Sequence, residues 1–250
     1  MPPEISVLDS ASSLLKAYSF YCSLIRELGN EHLPEQALGG KLLYAGELDD
    51  DGGAIAIAGN IAGCATLAAA ADPDAQKRII RDGIVDFLVT SLDEALRILK
   101  NEVRKHSTVA VAVGQSPHQV EREMLERGVQ PDLTRDKVLS AQIDSAGSSA
   151  AVWRVDSSPA KWLPRLDAIA LDCLGAADPW TRRWIRLSPR YLARVSLNQR
   201  ALIADRDLVL KFLEKVHSAF DRGEVGTAAT IRVISANGTE EYFFPPPQKS

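Results

Sequence analysis

LLYAGELDDDGGAIAIAGNIAGCATLAAAAD, Leu42 to Asp72, is the stretch that decides the fold. Leu42, Leu43 and Tyr44 run into Gly46 and an acidic turn, and Gly52-Gly53 then open a segment of small residues carrying Ile55, Ile57, Ile61 and Leu67. A strand, a glycine-bearing turn, a small-residue helix and a buried strand predict the start of a βαβ unit. Glycines after the first strand of such a unit let the backbone approach a ligand, and the helix N-terminus offers unpaired N–H groups to a phosphate. Asp49, Asp50 and Asp51 oppose that use, since three carboxylates lie where a diphosphate would sit. Gly59 and Gly63, four apart, favour close packing of the helix over ligand contact.

Ala54 to Ala71 has no charge, a length that meets the threshold for a membrane-spanning helix. Gly59, Asn60, Gly63 and Thr66 interrupt it and alanine dominates the rest, so the transfer gain is small. It reads as two buried elements, with Cys64 to Ala71 the second strand.

Upstream, Asp9-Ser10 suggests an N-cap, and Leu14, Leu15, Tyr18, Cys22, Ile25 and Leu28 recur at helical spacing until Gly29. A polar connection, Asn30 to Gly40, follows. Downstream, Asp72-Pro73 starts a helix that runs to Gly83, Ile84 to Thr90 is β-like, and Ser91 with Glu94 forms a capping box. Thr108 to Val113 (TVAVAV) is an uncharged, valine-rich strand of the kind buried in a parallel sheet. Gly114-Gln115-Ser116-Pro117 begins the next helix, which closes at Arg127-Gly128, and Asp132-Leu133 starts another strand. Repeated strand and helix in short units predict an α/β fold, a doubly wound parallel Rossmann-like sheet with ligands at the carboxyl ends of its strands.

Asp136 to Ser149 reads as an irregular loop, and Ala150 to Val155 and Ala168 to Leu171 as further strands with Trp162 on a short helix between them. Seven arginines lie between Arg182 and Arg206, where Ser188-Pro189 is expected to start a new helix and break the basic stripe. Leu208 to Phe220 forms a final amphipathic helix, and Thr227 to Ser235 and Glu240 to Phe244 flank Asn237-Gly238 as a terminal β-hairpin. The expected division is 1–40 as helix and connection, 41–175 as the Rossmann-like domain, and 176–250 as a helical segment with the hairpin, packed on the same core.

The chain has 250 residues, 46% of them hydrophobic, and a net charge of −4, which does not suggest nucleic-acid binding. Cys22, Cys64 and Cys173 are odd in number and widely spaced, so neither a disulfide framework nor a zinc cluster is indicated. Met1-Pro2-Pro3-Glu4 lacks the basic start of a signal peptide. A cytoplasmic location and no membrane partner are expected, together with assembly as a homo-oligomer.

At the glycine-bearing turn and beyond, YAGELDDDGGAIAIAGNIAGCATL resembles the urocanases, the NAD-dependent urocanate hydratases. TSLDEALRIL is similar to that family's aspartate-leucine-aspartate helix, TVAVAV to its isoleucine-rich strand, and ERGVQPDLTRD to its arginine-glycine-valine-arginine-proline-aspartate signature. This part of the resemblance covers Gly40 to Asp136. Cys173-Leu174-Gly175, Pro179, Arg183-Trp184 and Leu187-Ser188 resemble the family's segment beside the nicotinamide, with three extra residues between cysteine and tryptophan. The resemblance implies a tightly held NAD⁺ that acts as an electrophile toward the substrate's imidazole while water adds to the conjugated system, with Cys173 as counterpart of the active-site cysteine.

The chain departs from that pattern in several places. Asp49 to Asp51 replace the glycine-methionine part of the family's turn, and the acidic residue that should hold the adenosine ribose falls at Ala70, with Asp72 the nearest substitute. KVLSAQIDSAG carries no histidine where the family has one, and the family's large amino-terminal region has no counterpart here. Candidate cofactor contacts are Gly46, Gly52, Gly53, Asp72, Gln115, Ser116 and Asp136, and candidate catalytic groups are Cys173 and His118; no metal site is expected. The reading that follows is a shortened urocanase relative that has lost urocanate hydration, with NAD lost or weakly held and a nucleotide or small ligand at the strand ends. An active NAD-dependent hydro-lyase using His118 with Cys173 and Asp136 is the alternative.

Overall fold

The computed structural model describes residues 7–27, 37–141, 148–175, 178–192 and 194–246. In chain order the elements are α1 (Val7–Arg26), β1 (Leu42–Glu47), α2 (Asp50–Ala62), β2 (Ala65–Ala69), α3 (Pro73–Arg81), β3 (Phe87–Val89), α4 (Leu92–Arg104), β4 (Val109–Val113), α5 (Pro117–Glu126), β5 (Leu133–Thr134), α6 (Arg135–Ser140), β6 (Ser148–Arg154), α7 (Pro159–Leu174), α8 (Pro179–Leu192), β7 (Gln199–Asp205), α9 (Arg206–Asp221), β8 (Ala229–Ser235) and β9 (Gly238–Phe244). They cluster into two units, Ser19–Ile143 and Met1–Tyr18 with Asp144–Ser250, so that α1 contributes to both. Among the described residues no helix is long and apolar enough to cross a membrane.

The first unit is the expected α/β fold. Its five strands are all parallel, in the order β3-β4-β2-β1-β5. Two of the three inner strands, β2 and β4, are buried along their whole length, which is why their sequences are apolar without alternation. Leu67, Val89, Leu96, Val111, Val120 and Met124 share one core beneath α4 and α5. On the other face α2 is buried from Gly52 to Ala62, and a Cβ on Gly59 would lie 2.6 Å from Leu43 Cδ2 and 2.9 Å from Thr66 Oγ1, so this glycine serves packing. The caps follow the sequence. Asp72 accepts from the Asp74 and Ala75 N–H groups, Ser91 from Glu94 and Ser116 from Gln119.

The second unit holds an antiparallel sheet in the order β7-β6-β8-β9 with α7, α8 and α9. The Asn237-Gly238 hairpin forms as expected, in register from Ala229↔Phe244 to Ser235↔Gly238. Ala150 to Val155 falls on β6, which pairs antiparallel with β7 and β8 and so adds nothing to the parallel sheet. Ala168 to Leu171 is helix, because Leu163, Leu166, Ala170, Cys173 and Leu174 bury one face of α7 at helical spacing. Ser188-Pro189 does not start a new helix. α8 runs through it, with Trp184, Ile185, Ser188 and Leu192 buried and Trp184 Nε1 donating to the Ala201 carbonyl at 2.7 Å. Asp9-Ser10 lie inside α1 and Asp136 to Ser140 inside α6, while Gly29 lies outside the described residues.

Candidate functional site

β1 leads through α2 to β2 on one side of it, whereas β5 joins on the other. The carboxyl ends of β1 and β5 therefore flank the topological switch point, where open α/β sheets bind ligands. Gly46 sits there with φ +72°, at the point where the β1–β2 register slips between Tyr44 and Glu47. The chain then turns so tightly that a Cβ on Gly52 would come within 1.8 Å of the Glu47 carbonyl oxygen. Gly53 is not under that constraint, its nearest neighbour being Ile84 Cδ1 at 3.6 Å.

The first of the three aspartates determines what this turn can do. Asp49 is the N-cap of α2, its Oδ1 accepting the Gly52 N–H at 2.8 Å. Arg135, the first residue after β5, donates Nη1 to Asp49 Oδ1 at 3.0 Å and Nη2 to Oδ2 at 2.8 Å, and Nη1 also reaches the Glu47 carbonyl at 3.0 Å. A Cβ on Gly46 would lie 2.9 Å from Arg135 Cδ, so the arginine stem runs directly over the glycine. Desolvation pulls the Asp49 carboxyl upward, but the hydrogen bonds from Arg135 and Gly52 outweigh it and hold the group below its ordinary range. The same pairing raises Arg135.

Beside this pair lies a cleft of about 360 Å³, with Tyr44, Met124 and Val129 on its walls and Glu121, Arg135 and Asp136 among its polar lining. Tyr44 Oη donates to Glu121 Oε1 at 3.2 Å and to the Pro117 carbonyl at 3.4 Å. Burial, then the Glu121 charge, push the phenol above its usual value.

The structure brings Gly46, Gly52, Gly53 and Asp136 together around the β1 and β5 ends. Asp72, Gln115 and Ser116 lie at the β2 and β4 ends, where Asp72 and Ser116 are engaged as helix caps. The Ala70 carbonyl, at the position where the resemblance requires a carboxylate, accepts Gln76 Nε2 at 2.7 Å. Gln115 Oε1 is shielded from solvent and has no hydrogen-bond partner among the described residues. His118 is exposed in the first turn of α5. Cys173 belongs to the other unit, on α7, and desolvation raises its thiol, the opposite of what a reactive thiolate requires. Among the described residues no group of His, Cys, Asp and Glu is arranged to hold a metal ion.

Arg135 was not among the residues singled out from sequence, and neither were Tyr44 and Glu121 as a pair. Its one signal is a cation directly after a strand of the sheet, in a chain whose β1–α2 turn carries three consecutive aspartates. A protein-family model described as the urocanase Rossmann-like domain matches residues 21–147, just over half of the chain.

Proposed function

Because the chain belongs to the urocanase family, we propose that it uses the family's Rossmann-like sheet to bind a small ligand at the switch-point cleft, without holding NAD at the β1–α2 turn and without hydrating urocanate. One observation carries this reading. The α2 N-terminus is occupied by the Asp49 carboxylate, and the guanidinium nearest to it is committed to the same carboxylate.

The residues present do not fit a dinucleotide. A diphosphate would have to displace Arg135 from Asp49 and then lie against Asp49, Asp50 and Asp51, and the ribose acid is absent because residue 70 is an alanine, whose carbonyl is moreover taken by Gln76. Charge-assisted contacts are worth on the order of 1.5 to 3 kcal/mol each, so losing two weakens binding by roughly 10² to 10⁴. The candidate catalytic groups support the same conclusion. An exposed His118 has no buried site in which to act, and a desolvated Cys173 thiol favours its neutral form.

The test mixes the purified protein with NAD⁺ and urocanate and follows urocanate absorbance. No change above the protein-free control is expected, and protein-dependent loss of absorbance would restore the hydro-lyase reading.

A further inference from the structure

The unit built on the antiparallel sheet has a cavity of its own, about 620 Å³ in volume, between the last turns of α9 and the end of β9. That volume is ordinary for a small-molecule site. His217, Phe220, Asp221, Glu241, Tyr242 and Phe244 line it, and among the described lining residues there is neither lysine nor arginine. His217 and Phe220 share a face of α9, three residues apart. Tyr242 and Phe244 share a face of β9, opposite Ile231 and Ala229 in the register. The Phe220 and Phe244 centroids are 5.0 Å apart with their planes at 32°, whereas His217 meets Phe244 at 74° over 6.3 Å. Two of the walls are therefore nearly perpendicular aromatic rings, an arrangement that can meet one guest from two sides.

The charges around the cavity select the guest. Asp221 Oδ2 lies 3.0 Å from His217 Nδ1, a contact that keeps its negative charge whenever the imidazole is neutral. Glu241 meets Arg232 Nη2 at 3.5 Å, the long limit of a hydrogen bond. The carboxyl end of α9 adds its partial negative charge to these two carboxylates. We propose that this cavity binds a small alkylated ammonium ion, whose methyl groups pack on the rings while Asp221 and Glu241 supply the counter-charge. A primary ammonium or a guanidinium would give up hydrogen bonds to water that ring carbons cannot return, and an alkylated ammonium has none to lose. Hard divalent cations require a cage of oxygens, and among the described residues no group of His, Cys, Asp and Glu is arranged to hold one.

Isothermal titration of the full chain with choline, and with the neutral tert-butyl analogue of choline, tests this at constant ionic strength. Wild type is expected to bind choline at least about tenfold tighter than the analogue. Phe220→Leu keeps an apolar wall and loses the ring, and Asp221→Asn keeps the shape and loses the charge. Each is expected to weaken choline binding about threefold or more and to leave the analogue unaffected. Circular dichroism checks that both variants are folded, and since Asp221 is exposed, its variant carries the test if Phe220→Leu does not fold. Co-sedimentation with phosphatidylcholine vesicles separates a free ligand from a lipid headgroup, and the protein is expected to stay in the supernatant. No choline binding by folded wild type, equal affinity for choline and its analogue, or folded variants that bind choline as wild type does would overturn the proposal. Pelleting with the vesicles would overturn its assignment to a small molecule.

Discussion

Arg135 Nη2 lies 2.8 Å from Asp49 Oδ2 and its Nη1 3.0 Å from Oδ1, joining the end of β5 to the cap of α2 across 86 positions of sequence. The pair leaves the Gly52 N–H and both Nη atoms of Arg135 engaged by one carboxylate.

Replacing Arg135 by alanine removes both hydrogen bonds to Asp49 and the one to the Glu47 carbonyl. Since the Asp49 side chain is 48% exposed, solvent screening limits the cost to on the order of 1 kcal/mol. Asp49 is depressed in the folded state, so its contribution is present above its unfolded pKa near 3.8 and is lost as pH falls through the lower folded value. Urea unfolding of wild type and Arg135→Ala should therefore differ at neutral pH and converge in acid.

The two glycines of the turn should respond oppositely to alanine. Gly52→Ala drives a Cβ to 1.8 Å from the Glu47 carbonyl oxygen and is expected to cost about 3 kcal/mol, whereas Gly53→Ala meets nothing nearer than 3.6 Å. Within the first turn of α2 that second change is expected to be neutral or to stabilise by up to about 1 kcal/mol. Thermal unfolding of the two variants measures the contrast.

Asp167 supplies a pH dependence of opposite sign in the second unit. It accepts Trp153 Nε1 at 2.9 Å and faces Arg200 Nε at 3.6 Å, and desolvation raises its carboxyl to about 6 despite those partners. The folded state therefore holds this proton more tightly than the unfolded one. The resulting stability is full below the unfolded value near 3.8 and is lost as pH rises through about 6, a change of roughly a few kcal/mol. Asp167→Asn cannot ionise, so the stability of wild type relative to this variant should fall between about pH 4 and pH 6. A flat difference across that range would contradict the assignment.

What could be read from the sequence was what is determined locally. Asp72, Ser91 and Ser116 announce their helices because each cap acts on N–H groups two or three residues away. The Asn237-Gly238 hairpin is local in the same sense. The β1–α2–β2 unit was legible because burial on both sides leaves an unbroken apolar run. β7 was not, since QRALIAD carries a buried Arg200 that faces the distant Asp167 and donates to the Ser196 and Gln199 carbonyls. Pro189 looked like a helix start, yet the buried face of α8 and the Trp184 anchor carry the helix past it. Arg135 escaped for the same reason as β7. No spacing rule connects a residue after β5 to a turn after β1, and only the parallel pairing of those two strands brings them together.

Native mass spectrometry of the purified full chain, before and after addition of NAD⁺, bears most directly on the proposal that the Asp49–Arg135 pair leaves the β1–α2 turn unable to hold NAD. Masses that are whole multiples of the unliganded chain, with no dinucleotide increment, are predicted in both spectra, whereas a protein that carries a dinucleotide through purification, or takes one up stoichiometrically when NAD⁺ is added, would contradict it.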